Sequence, residues 1–309
     1  MKMLNPVFRR ELITALRNRR TFMAVGAYVL FLLAMAAFML YASIRLDFIE
    51  GFHPQITITI YNLLSGIQLA LIILLVPAIT AGQINGERER QTLDLMLVTK
   101  MSTFTIVVGK LLSSLMLVLL MIVASVPVFG AFVYFGAVSP AKLLEQTLFM
   151  LVTATMAGSV SILCSIVFKR AMVAYVFSYF VMLLLTTITA AVVGSIFNVL
   201  HTTHFNNMQL GGIFVPFILS LQWRELFTWL LALNPVVGFL SLQDAQSGTV
   251  SLDSFLTQFL FNFQDVRLTT QLPLWLVNIW INIGLSCVFV GLSSWLLMPA
   301  RRLGKFSFS

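Results

Sequence analysis

Long apolar runs alternate with short polar connections along this chain. A helix rises about 1.5 Å per residue, so about 20 mostly apolar residues cross a hydrocarbon layer about 30 Å thick. Six runs reach that length: Thr21 to Ile44, Ile56 to Ala81, Thr105 to Gly136, Leu143 to Phe168, Ala171 to Asn198 and Pro273 to Met298. None has an ionisable residue at its centre, where Asp, Lys or Arg costs about 2.5 to 3.5 kcal/mol and usually marks an ion or proton pathway. The pattern predicts an all-α integral membrane protein with six transmembrane helices forming one domain over residues 1–309, and it disfavours a proton-coupled pump. The first run is too long for a signal-peptide core and continues past Ala34-Met35-Ala36, so it reads as a retained span.

Composition agrees, with 59% hydrophobic and 10% charged residues and a mean hydropathy of +0.97. These values exclude a soluble enzyme and a disordered tail. Cys164 and Cys287 both fall inside apolar runs, so there is neither a disulfide framework nor a zinc pattern. The net charge of +8 is a matter of topology. With the N-terminus inside, every basic residue except Arg45, Lys142, Arg224 and Arg267 falls on the cytoplasmic side, as the positive-inside rule requires. Nucleic acid is therefore not expected as a partner. Tyr41, Tyr61, Tyr134 and Trp275 near the outer ends, with Tyr175 and Trp295 near the inner ends, read as interfacial aromatic belts.

Three connections carry structure of their own. Residues 1–20 open with Asn5-Pro6 and place Phe8, Leu12, Ala15 and Leu16 on one helical face, with Arg9, Arg10, Arg17 and Asn18 on the other. That is an amphipathic helix on the inner leaflet, held by membrane lipid. Residues 82–104 contain Glu87-Arg88-Glu89-Arg90, then Leu93, Met96 and Leu97 at helical spacing. This predicts a short cytoplasmic helix with an acidic first turn, broken near Thr99 to Met101 and restarted by Ser102 as a cap. Alternating charge beside an apolar stripe suits a docking helix; a solvated surface helix with its stripe on the membrane is the plainer reading of the pattern. Residues 199–272, on the extracytoplasmic side, hold Leu210 to Leu221 and Leu226 to Leu242, short apolar runs containing Pro216 and Pro235, which read as re-entrant or interfacial helices. Two further crossings would give the same end orientation.

Ala154, Gly158, Ser161 and Ser165 put small residues on one face of the fourth span, for close helix packing. Asn62, Ser65 and Gln68 in the second, Thr186, Thr187 and Thr189 in the fifth, and Asn278, Asn282 and Ser286 in the sixth should face helices or a cavity. Other signals fail on context. Leu64-Ser65-Gly66-Ile67-Gln68 resembles an ATPase signature loop but lies in a span, and Gly109-Lys110 lacks the upstream glycine of a P-loop. His201 and His204 have no third metal ligand nearby, and no nucleophile with its base is recognisable.

The stretch Glu87-Arg88-Glu89-Arg90-Gln91-Thr92-Leu93-Asp94-Leu95-Met96-Leu97-Val98-Thr99, followed by Gly109-Lys110-Leu111-Leu112, resembles the coupling-helix motif of ABC type-2 exporter permeases. Asn5-Pro6-Val7-Phe8-Arg9-Arg10-Glu11-Leu12 through Arg19 resembles that family's elbow helix, and Asn234-Pro235 before the last span also fits. Lys100 departs from the pattern, since members often carry proline there. The resemblance implies a plasma-membrane permease subunit with cytoplasmic termini and no catalytic, cofactor or metal residues of its own. ATP and Mg would bind separate cytosolic ATPase subunits, and a second permease, identical or similar, would complete the membrane unit. It implies that Glu87, Arg88, Glu89, Arg90, Thr92, Leu93 and Leu97 couple to the ATPase. It also makes Asn62, Ser65, Gln68, Thr186, Thr187 and Thr189 candidates for the path of an amphipathic or apolar substrate such as a lipid, peptide or drug, exported by alternating access. The competing class is a stand-alone channel or sensor.

Overall fold

The computed structural model describes residues 19–46, 54–93, 102–189, 191, 229, 232–247 and 273–298. The expected helix over 1–20, Leu97, and most of the 199–272 segment lie outside them. The described residues form helices and short turns. In chain order these are α1 (Arg19–Leu46), α2 (Pro54–Thr80), α3 (Gln83–Glu89), α4 (Thr103–Tyr134), α5 (Pro140–Val167), α6 (Ala171–Leu183) with a π-helical continuation (Leu184–Ile188), α7 (Pro235–Ser247) and α8 (Leu274–Leu296). Five described helices are long and apolar enough to cross a membrane, matching five of the six predicted spans to within three residues at each end. Of the remaining one, the apolar helix Ala171–Thr187 is described and is shorter than a full crossing; the end of that expectation lies outside the described residues.

The chain divides into two compact units, residues 1–182 with 283–309, and residues 183–282. In the first, α5 is the most enclosed helix, 72% of its span being buried against 17% for α1. The small-residue face explains this. A Cβ on Gly158 would lie 2.9 Å from Leu111 Cδ1 and 3.2 Å from Leu115 Cδ2, so glycine lets α4 approach closely. Ser161 Oγ shares a 2.7 Å hydrogen bond with Ser178 Oγ of α6 on that face. Tyr28 and Leu32 of α1, Ile60, Tyr61 and Leu64 of α2, and Phe129 and Phe132 of α4 form an apolar cluster. Tyr61 corrects its expected place in an interfacial belt: it is fully buried, edge-on to Phe129 and Phe132, and donates its hydroxyl to Gln146 Oε1 of α5. A buried phenol needs an acceptor, and Gln146 supplies one from a neighbouring helix. Tyr134, by contrast, is exposed.

Local signals set the helix limits. Gly136, at φ 73°, ends α4: the Gly136 amide donates to the Val133 carbonyl and Ala137 to Phe132, the paired bonds of a Schellman stop. Ser139 then caps α5, with Pro140 opening it. Ser102 caps α4 as expected, accepting from the Thr105 amide at 3.2 Å. Near the end of α2, Pro77 lacks the amide that would pair with the Ile73 carbonyl, and the Tyr179 hydroxyl of α6 donates to the adjacent Leu74 carbonyl at 2.8 Å.

Candidate functional site

The motif-bearing connection leaves α2 through Ala81 and Gly82. A Cβ on Gly82 would collide with the Tyr175 hydroxyl of α6, so glycine lets that ring lie against the start of α3. Gly82 offers no side-chain cap. The amides of Ile84 and Asn85 donate instead to Ser165 Oγ of α5, at 3.2 and 3.3 Å, satisfying donors that a helix start leaves unpaired. Ile84 and Asn85 are buried.

The end of α3 is tied as well. Lys110 Nζ of α4 lies 2.8 Å from Glu87 Oε1, with the lysine only 3% exposed. The Thr92 hydroxyl donates to the same carboxylate. Burial alone would push the Glu87 carboxyl up; the hydrogen bonds from Lys110 and Thr92, with the charges of Lys110 and Arg90, outweigh it and hold the group below its ordinary value. Arg88 turns towards α5: its guanidinium donates to the carbonyls of Ile166 and Phe168 and to Asn85 Oδ1, each at 3.3 Å. Those carbonyls close α5, where a helix lacks donors and its dipole favours a cation.

The structure corrects the expected helix. α3 begins at Gln83 with no acid in its first turn, and it stops at Glu89; the expected break at Thr99 to Met101 lies outside the described residues. Gln91 adopts φ 56°, its amide bonding back to the Arg88 carbonyl, and helical backbone resumes at Thr92 and Leu93. Tertiary bonds through Glu87, Arg88 and Thr92 fix this break against helix propensity. Of the predicted coupling residues, Glu87, Arg88 and Thr92 are thus engaged within the chain, Leu93 is buried, and Glu89 and Arg90 are exposed.

The predicted path residues fall into two groups. Asn62, Ser65 and Gln68 of α2 are buried in the first unit. Ser65 Oγ donates to the Asn62 carbonyl at 2.9 Å, and Gln68 Nε2 to Ser125 Oγ of α4 at 2.8 Å. The threonines belong to the second unit, where Thr186 is buried, Thr189 half-buried and Thr187 exposed. Thr186 and Thr187 lie within the π-helical turn and Thr189 follows it, and Asn234 secures it: its Nδ2 donates to the Thr186 carbonyl at 2.7 Å and to Thr189 Oγ1 at 2.9 Å. The Asn234 Oδ1 caps α7 by accepting from the amides of Val236 and Val237. Asn278 Nδ2 donates to the carbonyls of Ala232 and Asn234, and Asn282 Nδ2 to Asn278 Oδ1.

Lys110, Ser165 and Asn234 escaped the motif reading as site residues. The Gly109-Lys110 pair, the small-residue stripe and the Asn-Pro helix start were the available signals. Among the described residues no three His, Cys, Asp or Glu gather as a metal site would require. What the geometry provides is a short helix firmly joined to the ends of two apolar helices. A comparison with curated proteins gives no match. Residues 36–298 match the ABC-2 family transporter protein profile, and the chain belongs to that family.

Proposed function

We propose that this membrane permease of an ABC transporter works as an exporter subunit, moving an amphipathic or apolar substrate out of the cytoplasm by alternating access. Family membership brings a partner ATPase and displaces the stand-alone channel or sensor. In the proposed arrangement two permease subunits, identical or similar, form the membrane unit in the plasma membrane, with both termini cytoplasmic. ATP is hydrolysed on the partner alone. The basic residues gathered on one side support this orientation.

The observation that carries the reading is α3, which presents exposed Glu89 and Arg90 while its other face is bonded to α4 and α5. Charges on such a helix fix register against a partner surface, and the buried Leu93 anchors the segment to its own permease. The substrate path is proposed to pass the π-helical turn, where Thr187 is exposed beside Thr186 and Thr189; π turns recur at functional sites. Asn62, Ser65 and Gln68 are buried within one protomer, which suits helix packing better than substrate contact.

The test is purification of the tagged chain from its host in mild detergent, followed by mass spectrometry and an ATP-hydrolysis assay. A nucleotide-binding subunit in stoichiometric amount is expected, and Glu89→Arg with Arg90→Glu should release it. Retention of the ATPase by that variant would refute the docking face. ATP-dependent accumulation of the substrate in right-side-out vesicles would refute export.

A further inference from the structure

Resting on that docking reading, we infer that Glu87 and Arg88 are positioning residues that join α3 to the membrane helices instead of touching the ATPase. Four side chains make the joint. Ser165 Oγ of α5 holds the amides of Ile84 and Asn85 at the start of α3. Lys110 Nζ of α4 holds Glu87 at 2.8 Å. Arg88 forks onto the last carbonyls of α5 at Ile166 and Phe168. Thr92, beyond the Gln91 turn, closes back onto Glu87.

The residue pattern of α3 therefore separates two tasks. The side chain of Glu87 is 19% exposed and that of Lys110 4%, so this pair is shielded from solvent and competing ions. Separating it would leave an ammonium buried at the start of an apolar helix, a costly state. Glu89 and Arg90 follow immediately in sequence and are exposed. A load applied to them passes along one helical turn into Lys110 and the end of α5. Without the joint, α3 would be held between the turns at Ala81-Gly82 and Arg90-Gln91 only by the packing of Ile84, Asn85 and Leu93, and its motion would pass less fully to α4 and α5. The charged stretch thus divides into a first pair, Glu87 and Arg88, that carries the motion inward and a second pair, Glu89 and Arg90, that faces the partner.

The test uses the complex with its ATPase, purified from host membranes into lipid nanodiscs. Glu87→Gln combined with Lys110→Met removes both charges, which spares the fold the lone buried charge that either single change leaves. Two quantities are read. One is the ratio of ATPase to permease. The other is the change on vanadate trapping with ATP in the N-ethylmaleimide labelling rate of Cys164, a buried α5 thiol beside Ser165, in a Cys287→Ser background. The double variant should keep the wild-type ratio while the nucleotide-dependent change in labelling falls by about tenfold. Glu89→Arg with Arg90→Glu should instead lose the ATPase.

Loss of the ATPase from the Glu87→Gln/Lys110→Met complex would overturn the inference and return Glu87 to the docking face. An undiminished Cys164 response in that complex, or no response in the parent complex with its ATPase bound, would also overturn it. Failure of the docking reading looks different: the parent chain would then bring down no ATPase at all.

Discussion

Asn234 offers the sharpest test of how the second unit is held together, because one buried amide does two separable jobs. Its oxygen caps α7 through the amides of Val236 and Val237, and its nitrogen donates to the Thr186 carbonyl and Thr189 Oγ1. An N-cap contributes about 1 kcal/mol and each buried hydrogen bond about 1 kcal/mol, so Asn234→Ala should cost about 3 kcal/mol. Asn234→Ser keeps a capping oxygen but cannot supply both donors, and should cost about 2 kcal/mol. At about 2 °C or more per kcal/mol, the melting temperature should fall by about 6 °C for alanine and about 4 °C for serine. The assay is helical circular dichroism of the detergent-purified proteins on heating. Hydrogen exchange should also quicken at residues 184–189 in both variants, but at the start of α7 only in the alanine form. An alanine variant melting within about 1 °C of the parent, or equal exchange at α7 in the two variants, would refute this division of labour.

Other perturbations have equally definite outcomes. Gln91→Gly relieves a side chain held at φ 56° and should raise stability by about 0.5 to 1 kcal/mol, seen as a higher melting temperature with assembly unchanged. Gly158→Leu should cost about 1 to 3 kcal/mol by forcing α4 from α5, whereas Gly158→Ala meets only the ends of two leucine side chains and should cost far less; melting of the pair gives the contrast. Tyr61→Phe should cost about 1 kcal/mol, because Gln146 loses its donor in the apolar cluster. The depressed Glu87 carboxyl stabilises the fold most above the ordinary carboxylate value of 4.5, and this contribution is lost as pH falls below it. The melting difference between parent and Glu87→Gln should therefore be level from neutral to mildly acidic pH and shrink on stronger acidification.

Membrane crossings are legible in a sequence because hydrocarbon thickness sets one length and any sufficiently apolar run satisfies it. The start at Ser102 is legible too, since a serine cap is local chemistry; Gly136 and Ser139-Pro140 are signals of the same kind, but apolar length alone passes over them and starts the fourth span at Leu143. The division of labour within Glu87 to Arg90 was not. Adjacent charges look alike in a pattern, and only the folded chain reveals that Lys110 and the end of α5 claim two of them. The break at Gln91 was hidden for a related reason, because glutamine is no turn residue and the backbone there is set by bonds from Thr92 and Arg88. Tyr61 misled because a tyrosine near the end of a span looks the same whether its hydroxyl meets the lipid interface or Gln146.

The turn between α4 and α5 bears on how the chain is made. Only Phe135 to Ser139 separate the two helices, with a glycine stop on one side and a serine-proline start on the other. A link so short, capped at both ends, leaves antiparallel neighbours as the natural arrangement. Their shared surface, with Leu111 and Leu115 against Gly158, is therefore available as soon as this stretch has been synthesised. Contacts close in sequence form early and at low entropic cost. During synthesis α4 and α5 can thus enter the bilayer as a finished hairpin, giving the membrane a paired unit before α8 exists.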